Sequence, residues 1–184
     1  MIDGKKGNSL RWRATFILPL FAAVLAGACN TSIAPDEQSA RQEVKRNFPA
    51  WTLVTAADLE GEAFSAWSAD HPGIAPGFNR GDYFGDGRNA FSALISMEDD
   101  RGTVVRLLVM GQEPSGRFVT FSVFSESPVE RMPAIFTSAA GEYQAFLDGQ
   151  LIPVPVEGVV YTHPGVSKKL FFWTGDQFAD IELE

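Results

Sequence analysis

Three side chains of this sequence combine a reactive type with an informative position: the thiol of Cys29 and the carboxylates of Asp82 and Asp86. Cys29 is the only cysteine among 184 residues, so no disulfide can form within the chain and its thiol is left for other chemistry, such as acylation. Asp82 and Asp86 lie four positions apart in a glycine-rich segment. Two carboxylates at this spacing can bind a hard cation together or share acid–base work. The surrounding segments decide which chemistry is expected.

The residues before Cys29 are arranged as an export signal. Basic side chains come first, followed by the apolar run 14–25 and the small residues Ala26-Gly27-Ala28. The apolar run has about a dozen residues, whereas a helix that spans a bilayer core needs roughly 20. A charged start, a short apolar run and small residues before a cleavage point are typical of a secretory signal. We therefore predict a signal peptide over residues 1–28.

The end of this signal resembles the lipobox of bacterial lipoproteins, with Leu25-Ala26-Gly27-Ala28 before Cys29. The family usually has Leu at the position taken here by Ala26. The resemblance implies that Cys29 is acylated and becomes the first mature residue, anchoring the protein to a membrane by lipid. Asn30 after it implies the outer membrane, facing the periplasm. The alternative is an ordinary signal-peptidase site, which would leave an unpaired, reactive thiol in an oxidising compartment.

The charge of the predicted mature chain excludes some partners. Removing residues 1–28 takes away four of 15 basic and one of 23 acidic residues, which leaves a formal charge of about −11. Nucleic acids and anionic lipid surfaces are bound through clusters of Lys and Arg. We therefore expect no nucleic-acid partner and no electrostatic attachment to membranes, and an apolar core must stabilise the fold without disulfides.

The first part of this mature chain predicts a tether and helices. Residues 29–36 are a short polar tether. The segment 37–48 repeats apolar residues every four positions and predicts one helix, with Asp36 as its cap and Pro49 as its stop. A second, weaker helix is predicted from Thr55, where Thr55-x-x-Asp58 resembles a capping box.

The later part of the chain has the pattern of strands. Three stretches, 91–95, 104–110 and 118–124, are joined by short turn-rich links and predict an antiparallel meander. In the third stretch Val119, Phe121 and Val123 are expected on one face.

Four further strands are predicted at 143–147, 159–162, 170–173 and 178–184, the last two as a closing hairpin. The expected fold is one α+β domain over residues 37–184, with an antiparallel β-sheet of about five to seven strands and one or two N-terminal helices.

The acidic segment Gly81-Asp82-Tyr83-Phe84-Gly85-Asp86-Gly87 resembles the D-F-N-G-D-G-x-x-D loop of FG-GAP and VCBS-type secreted proteins. The resemblance implies that Asp82 and Asp86, at the first and fifth positions, are calcium ligands. The third and ninth positions, normally Asn or Asp and Asp, are Phe84 and Ala90, so only weak calcium binding is expected. From the residues alone, the alternative is a tight turn whose Asp side chains bond to their own backbone.

The resemblance extends loosely over residues 78–184 to small exported bacterial proteins of uncharacterised function. These often place one such loop before an apolar strand and end in an aromatic strand, a Gly-Asp turn and Phe. Residues 170–178, Leu-Phe-Phe-Trp-Thr-Gly-Asp-Gln-Phe, have this ending. The resemblance implies a similar single domain and no particular activity.

Catalytic motifs are scarce in the sequence. His71 and His163 each precede a proline and are expected to be turn residues, and no H-E-x-x-H, G-x-S-x-G or C-x-x-C occurs. We therefore assign no catalytic residue and expect a non-enzymatic binding module in the cell envelope, with an envelope protein as a possible partner. The alternative is a small envelope hydrolase without a recognisable motif. Convergent titratable groups in a pocket would favour the enzyme, and an apolar surface patch would favour binding.

Overall fold

The structure is a computed structural model that describes residues 35–183 of the chain. This part forms two α-helices, one 3-10 turn and eleven β-strands. The helices are α1 (Pro35–Asn47) and α2 (Gly61–Asp70), and the 3-10 turn spans Ala56–Asp58. The strands are β1 (Thr52–Leu53), β2 (Phe78–Gly81), β3 (Ala90–Asp99), β4 (Gly102–Gln112), β5 (Phe118–Glu126), β6 (Ala134–Ser138), β7 (Gly141–Gln144), β8 (Leu151–Val154), β9 (Gly158–His163), β10 (Ser167–Trp173) and β11 (Phe178–Leu183).

Helix α1 begins at Pro35, two residues before the predicted start. The last two residues of the predicted tether, 35 and 36, therefore belong to the helix, whose first turn tolerates proline because its N–H groups lack intrahelical partners. Asp36 lies inside this turn and its carboxylate accepts a hydrogen bond from the Asn89 side chain at 2.6 Å. Ala40 and Val44 are buried, as the four-residue repeat predicts.

The second predicted helix is divided in two. Asp58 accepts the Thr55 backbone N–H at 2.7 Å, as in a capping box, but only a 3-10 turn follows. Helix α2 starts afresh at Gly61, whose φ of 49° is a left-handed conformation that interrupts a continuous helix. Leu59 and Trp67 are buried, whereas Phe64 is exposed.

Five strands form the first sheet, in the order β1-β3-β4-β5, with β2 beside β1 along the same edge of β3. All described pairings in it are antiparallel, and β3-β4-β5 is the predicted meander. Both faces of β3 are buried: Phe91 and Ile95 pack under α1, while Leu94 packs toward the second sheet. Residues 90–96 of β3 therefore have no solvated face.

The second sheet has the antiparallel order β11-β10-β9-β6 and packs face to face with the first. Its outer face is covered by the hairpin β7-β8, which pairs separately, and by α2 beside β6. On one side the sheets are joined by main-chain bonds, since the Ile135 N–H donates to the Pro76 carbonyl at 2.7 Å. On the other side stand β5 and β11, which end their sheets within residues 35–183.

Gly77 shows how closely the chain passes itself near β3. A Cβ atom at this position would lie 2.0 Å from the carbonyl oxygen of Val54, where β1 and β2 meet beside Leu94. Only glycine allows this approach.

The α+β class with antiparallel sheets is confirmed, but the predicted count of five to seven strands is too low. The prediction missed β1, β2, β6 and β8 because each has five residues or fewer and little alternation. The strand expected at 143–147 is β7, which ends at Gln144. Neither helix within residues 35–183 is long and apolar enough to cross a membrane.

Candidate functional site

The acidic loop 81–89 bonds mainly to itself. The Asp82 carboxylate accepts the backbone N–H groups of Asp86 and Gly87, both at 3.1 Å. Asp86 accepts the Arg88 backbone N–H at 2.9 Å and forms an ion pair with its guanidinium at 2.6 Å. These bonds give each carboxylate the geometry of a turn residue.

Hydrophobic residues of the same loop fasten it to the fold. Tyr83 is fully buried, and its hydroxyl is 3.0 Å from the Ser92 hydroxyl and 2.7 Å from that of Thr137. Burial raises the pKa of Tyr83 to about 12, so the hydroxyl stays protonated. Phe84 packs its ring against Phe121, Trp173 and Phe178. The third loop position therefore supplies an aromatic anchor where calcium loops supply an oxygen.

The predicted calcium ligands, Asp82 and Asp86, are not part of a larger cluster of metal-binding side chains within the described residues. No group of three or more His, Cys, Asp or Glu side chains placed to hold a metal ion occurs within residues 35–183. The ninth loop position, Ala90, is buried at the start of β3. The predicted lipidation residue, Cys29, lies outside the described residues.

A cleft on the side of the sandwich where β5 and β11 lie brings apolar and titratable side chains together. The sequence did not predict this cleft. A β-bulge in β5 builds it. The β4–β5 register pairs Leu108 with Ser122 and Leu107 with Phe124, which leaves Val123 as the extra residue. Because side chains alternate along a strand, this insertion changes which residues face inward. Phe121 and Phe124 both face the second sheet, and Val123 packs against the same core, so the predicted alternation holds up to Val123 and is broken after it, where Phe124 also faces inward.

The cleft has a volume of about 350 Å³ and largely apolar walls. Phe124 forms its floor, packing against Tyr161 and Phe171 at ring-centroid distances of 5.1 and 5.3 Å. Phe146 and Val166 stand at its mouth with 58% and 65% of their surface exposed. Apolar side chains this exposed beside a cavity are typical of a binding surface.

Three polar side chains meet at one end of the cleft. The Tyr161 hydroxyl donates to Glu126 Oε2 at 2.5 Å, and His163 Nε2 lies 3.1 Å from the same oxygen. The other ring nitrogen of His163, Nδ1, lies 3.1 Å from the carbonyl oxygen of Arg131. Burial, together with the bond to Glu126 and its charge, raises the pKa of Tyr161 far above its ordinary value. The tyrosine therefore keeps its proton and acts as a donor.

A second charged group borders the cleft on β10. Lys169 Nζ lies 3.4 Å from Asp180 Oδ2 and 3.6 Å from Glu182 Oε1, both on β11. It also lies 5.5 Å from the centre of the Phe124 ring, within the range of a cation–π contact. The lysine charge is therefore balanced inside the protein.

The two histidines have different environments. His71 is the residue after α2 and lies between Trp67 and Phe136, with ring centroids 4.3 and 4.2 Å away. Burial lowers the pKa of His71, the charge of Asp70 opposing this shift and that of Lys168 adding to it. His163 ends β9 and is also the first residue of the turn that follows, since its carbonyl oxygen accepts the Val166 N–H at 2.9 Å. Its expected place at a turn therefore holds, but both its ring nitrogens also have partners, which the sequence did not predict. The alternation Val159, Tyr161, His163 was a signal that these side chains share one face.

The cleft therefore offers apolar contact area and a small polar cluster at one end. Both ring nitrogens of His163 are engaged within the protein, so activating a nucleophile would require breaking one of these contacts. Searches of protein-family models, curated proteins and solved structures found no match to this chain.

Proposed function

We propose that this protein is a lipid-anchored envelope protein that works as a non-enzymatic binding module. The lipid is attached at Cys29, and the partner is an envelope protein that inserts an apolar side chain into the cleft between β5 and β9–β11. The observation that carries the proposal is the combination of a cavity of about 350 Å³ with two exposed apolar residues at its mouth, Phe146 and Val166.

The contacts inside the cleft favour binding over catalysis. Glu126, Tyr161 and His163 bond to one another or to main chain, and Lys169 is paired with two carboxylates. Such internally satisfied groups leave apolar contact as the main source of affinity, and a buried aliphatic or aromatic side chain supplies roughly 1.5–3 kcal/mol.

Photo-crosslinking in the producing cells tests this proposal. p-Benzoylphenylalanine placed at Phe146 is expected to give one discrete adduct with an envelope protein, and the same probe at exposed Phe64 on α2 serves as the control. A second change, Val166→Asp, puts a charge at the mouth and is expected to abolish the adduct. The proposal is wrong if Phe146 and Phe64 give the same adducts, or if the Phe146 adduct survives Val166→Asp.

One observation favours the alternative of a small envelope hydrolase: titratable groups do converge at the end of the cleft. Glu126 and His163 within 3.1 Å of each other are a possible acid–base pair. If the protein is a hydrolase, the turnover of a chromogenic ester such as p-nitrophenyl acetate will fall sharply in His163→Gln and remain unchanged in His71→Gln.

A further inference from the structure

The two contacts of the His163 ring require two N–H groups, one more than a neutral imidazole carries. The Arg131 carbonyl oxygen only accepts hydrogen bonds, so Nδ1, 3.1 Å away, must carry a hydrogen. At Nε2 the partner is Glu126 Oε2, also 3.1 Å away, and a carboxylate oxygen likewise only accepts. A neutral imidazole has one N–H, so it can satisfy one of these contacts and not both.

The tyrosine does not provide the missing hydrogen to the ring. Its hydroxyl already donates to Glu126 Oε2 at 2.5 Å and remains protonated because burial disfavours the phenolate. The full set of contacts therefore holds one proton more than a neutral histidine beside an ionised glutamate. This proton lies between His163 Nε2 and Glu126 Oε2 and belongs to the pair.

We propose that the Glu126–His163 pair is a proton-operated clamp on one side of the cleft. With the proton bound, His163 ties the end of β5 and the segment 127–133 to β9. When the proton leaves, the ring keeps a single N–H and loses one of its two contacts, either that with Glu126 or that with the Arg131 carbonyl.

The segment 127–133 is where the effect is expected to appear. It links the two sheets, and Pro128, Glu130 and Arg131 in it are exposed. Besides the contact of Arg131 with His163, the segment is held by the Val129 N–H, which donates to the Thr103 carbonyl at 2.9 Å. A hollow of about 540 Å³, bordered by Glu126 and His163 themselves, lies beside the segment and leaves room for it to move.

The charged and titratable groups around the pair come from five elements. Those facing it are Glu126 at the end of β5, Glu130 and Arg131 in the segment, Tyr161 on β9, and Lys168, Lys169 and Glu182 on β10 and β11. Lys169 is paired with Asp180 and Glu182, and Glu130 and Arg131 carry opposite charges. Glu126 is the charge in direct contact with the ring, and it favours the bound proton.

The sign of the pH effect follows from this count. Folding orders a proton-binding pair that the unfolded chain lacks, so the contact stabilises the segment at low pH and is lost as pH rises. The clamp stands on these contacts alone. The further step, that opening the clamp gives the partner access to the cleft, rests on the proposed function.

Nuclear magnetic resonance of the protein, purified as the host produces it, tests the clamp without any ligand. Across a pH titration, the His163 ring nitrogens should change together from the doubly protonated form. Over the same titration, amide exchange in residues 127–132, corrected for intrinsic rates, should rise about tenfold, as expected for the loss of a charge-assisted hydrogen bond.

Two variants and a control complete the experiment. His163→Gln removes the ring that holds the proton and should make exchange in the segment independent of pH. Glu126→Gln keeps an acceptor oxygen but loses the carboxylate charge and should weaken the pH dependence, whereas His71→Gln should behave as the parent. The clamp is refuted if the parent shows no such pH dependence, or if His163→Gln retains it. The ring-nitrogen measurement needs no variant, and a failed crosslink at Phe146 would refute the binding proposal alone.

Discussion

At the residue scale, the loop 81–89 separates two tasks along its length. Its carboxylates close the turn, while Tyr83 and Phe84 pack into the interior. The backbone N–H of Asp82 also donates a hydrogen bond to Glu157 Oε2 at 2.6 Å. Gly85, with a φ of 69°, has its α-carbon so close to Val156 that a Cβ would lie 2.5 Å from that side chain. The loop is therefore held by its own carboxylates, by the burial of Tyr83 and Phe84, and by its contacts with Glu157 and Val156.

The first prediction concerns Asp82. Changing Asp82→Ala removes the acceptor of two main-chain N–H groups and is expected to lower the free energy of unfolding by about 1–3 kcal/mol, measured by urea denaturation. Asp82→Asn keeps one acceptor oxygen and should lose less. The control is Asp100→Ala, an exposed turn residue with the same change in charge, which should alter stability by less than about 0.5 kcal/mol.

The same protein should show no tight calcium site. We expect isothermal titration calorimetry to detect no sub-micromolar calcium binding, because Phe84 and Ala90 occupy the positions of two oxygen ligands. A sub-micromolar affinity that disappears in Asp86→Ala would contradict this expectation and restore the metal-binding role of the loop.

At the element scale, the parts predicted well are those whose pattern is local. The meander β3-β4-β5 and the hairpin β10-β11 have long alternating stretches bounded by turn residues, and both occur as expected. The cleft could not be predicted in the same way, because Glu126 faces inward only through the bulge at Val123. The bulge depends on the register with β4, and the residues that face it, Leu107 and Leu108, lie 16 and 15 residues before Val123 in the chain. The alternation that places Tyr161 and His163 on one face of β9 could be read from the sequence, whereas the inward position of their partner Glu126 could not.

A prediction at this scale concerns the crossing of β1 and β2. Gly77→Ala should lower the free energy of unfolding by about 3 kcal/mol, because the added methyl group would displace the Val54 backbone beside β3. Thermal and urea denaturation would measure the loss. Gly141→Ala is the matched control, since its nearest neighbour to a new Cβ, Tyr143, is 3.9 Å away and its effect should be small. Equal stability of the two variants would show that the crossing relaxes easily.

A second prediction concerns the closing hairpin. Deleting residues 170–184 removes Leu170, Phe171 and Phe172, all at most 6% exposed, together with β11. We expect no cooperative thermal transition in circular dichroism. Phe171→Ala alone should cost about 3–5 kcal/mol. Trp173 is only half-buried, in a cluster of four aromatic rings with Phe84, Phe121 and Phe178. A truncated protein that melts cooperatively near the parent temperature would show that the segment is dispensable.

At the scale of the whole molecule, the two sheets divide the protein into a closed side and an open side. Near β2 and β6 the sheets are joined by the main-chain bond from Ile135 to Pro76 and by the Asn79 side chain, which donates to the Ile135 carbonyl, whereas within residues 35–183 the contact near β5 and β11 is made by side chains such as Phe121 and Phe178. The proposed binding surface, the Glu126–His163 pair and the exposed residues Phe146 and Val166 all lie on the open side. A partner there would meet the molecule where the fewest main-chain bonds resist adjustment.

The prediction at this scale concerns attachment to the membrane. Cys29→Ser should prevent acylation, so that the protein leaves the membrane fraction or accumulates with its signal peptide attached. Mass spectrometry of the mature N-terminus measures this directly, with the parent protein as the control. A parent N-terminus that carries no lipid would contradict the proposal and favour ordinary signal cleavage.

The bulge in β5 has a consequence for solubility. The strand Phe-Val-Thr-Phe-Ser-Val-Phe-Ser-Glu has high β-propensity and one charge, and it pairs on one side only within residues 35–183. A flat edge of this composition is a template on which other chains assemble into fibrils. The extra residue Val123 bends the edge and interrupts its regular row of donors and acceptors. One inserted residue thus aims Glu126 into the cleft and also guards the protein against aggregation.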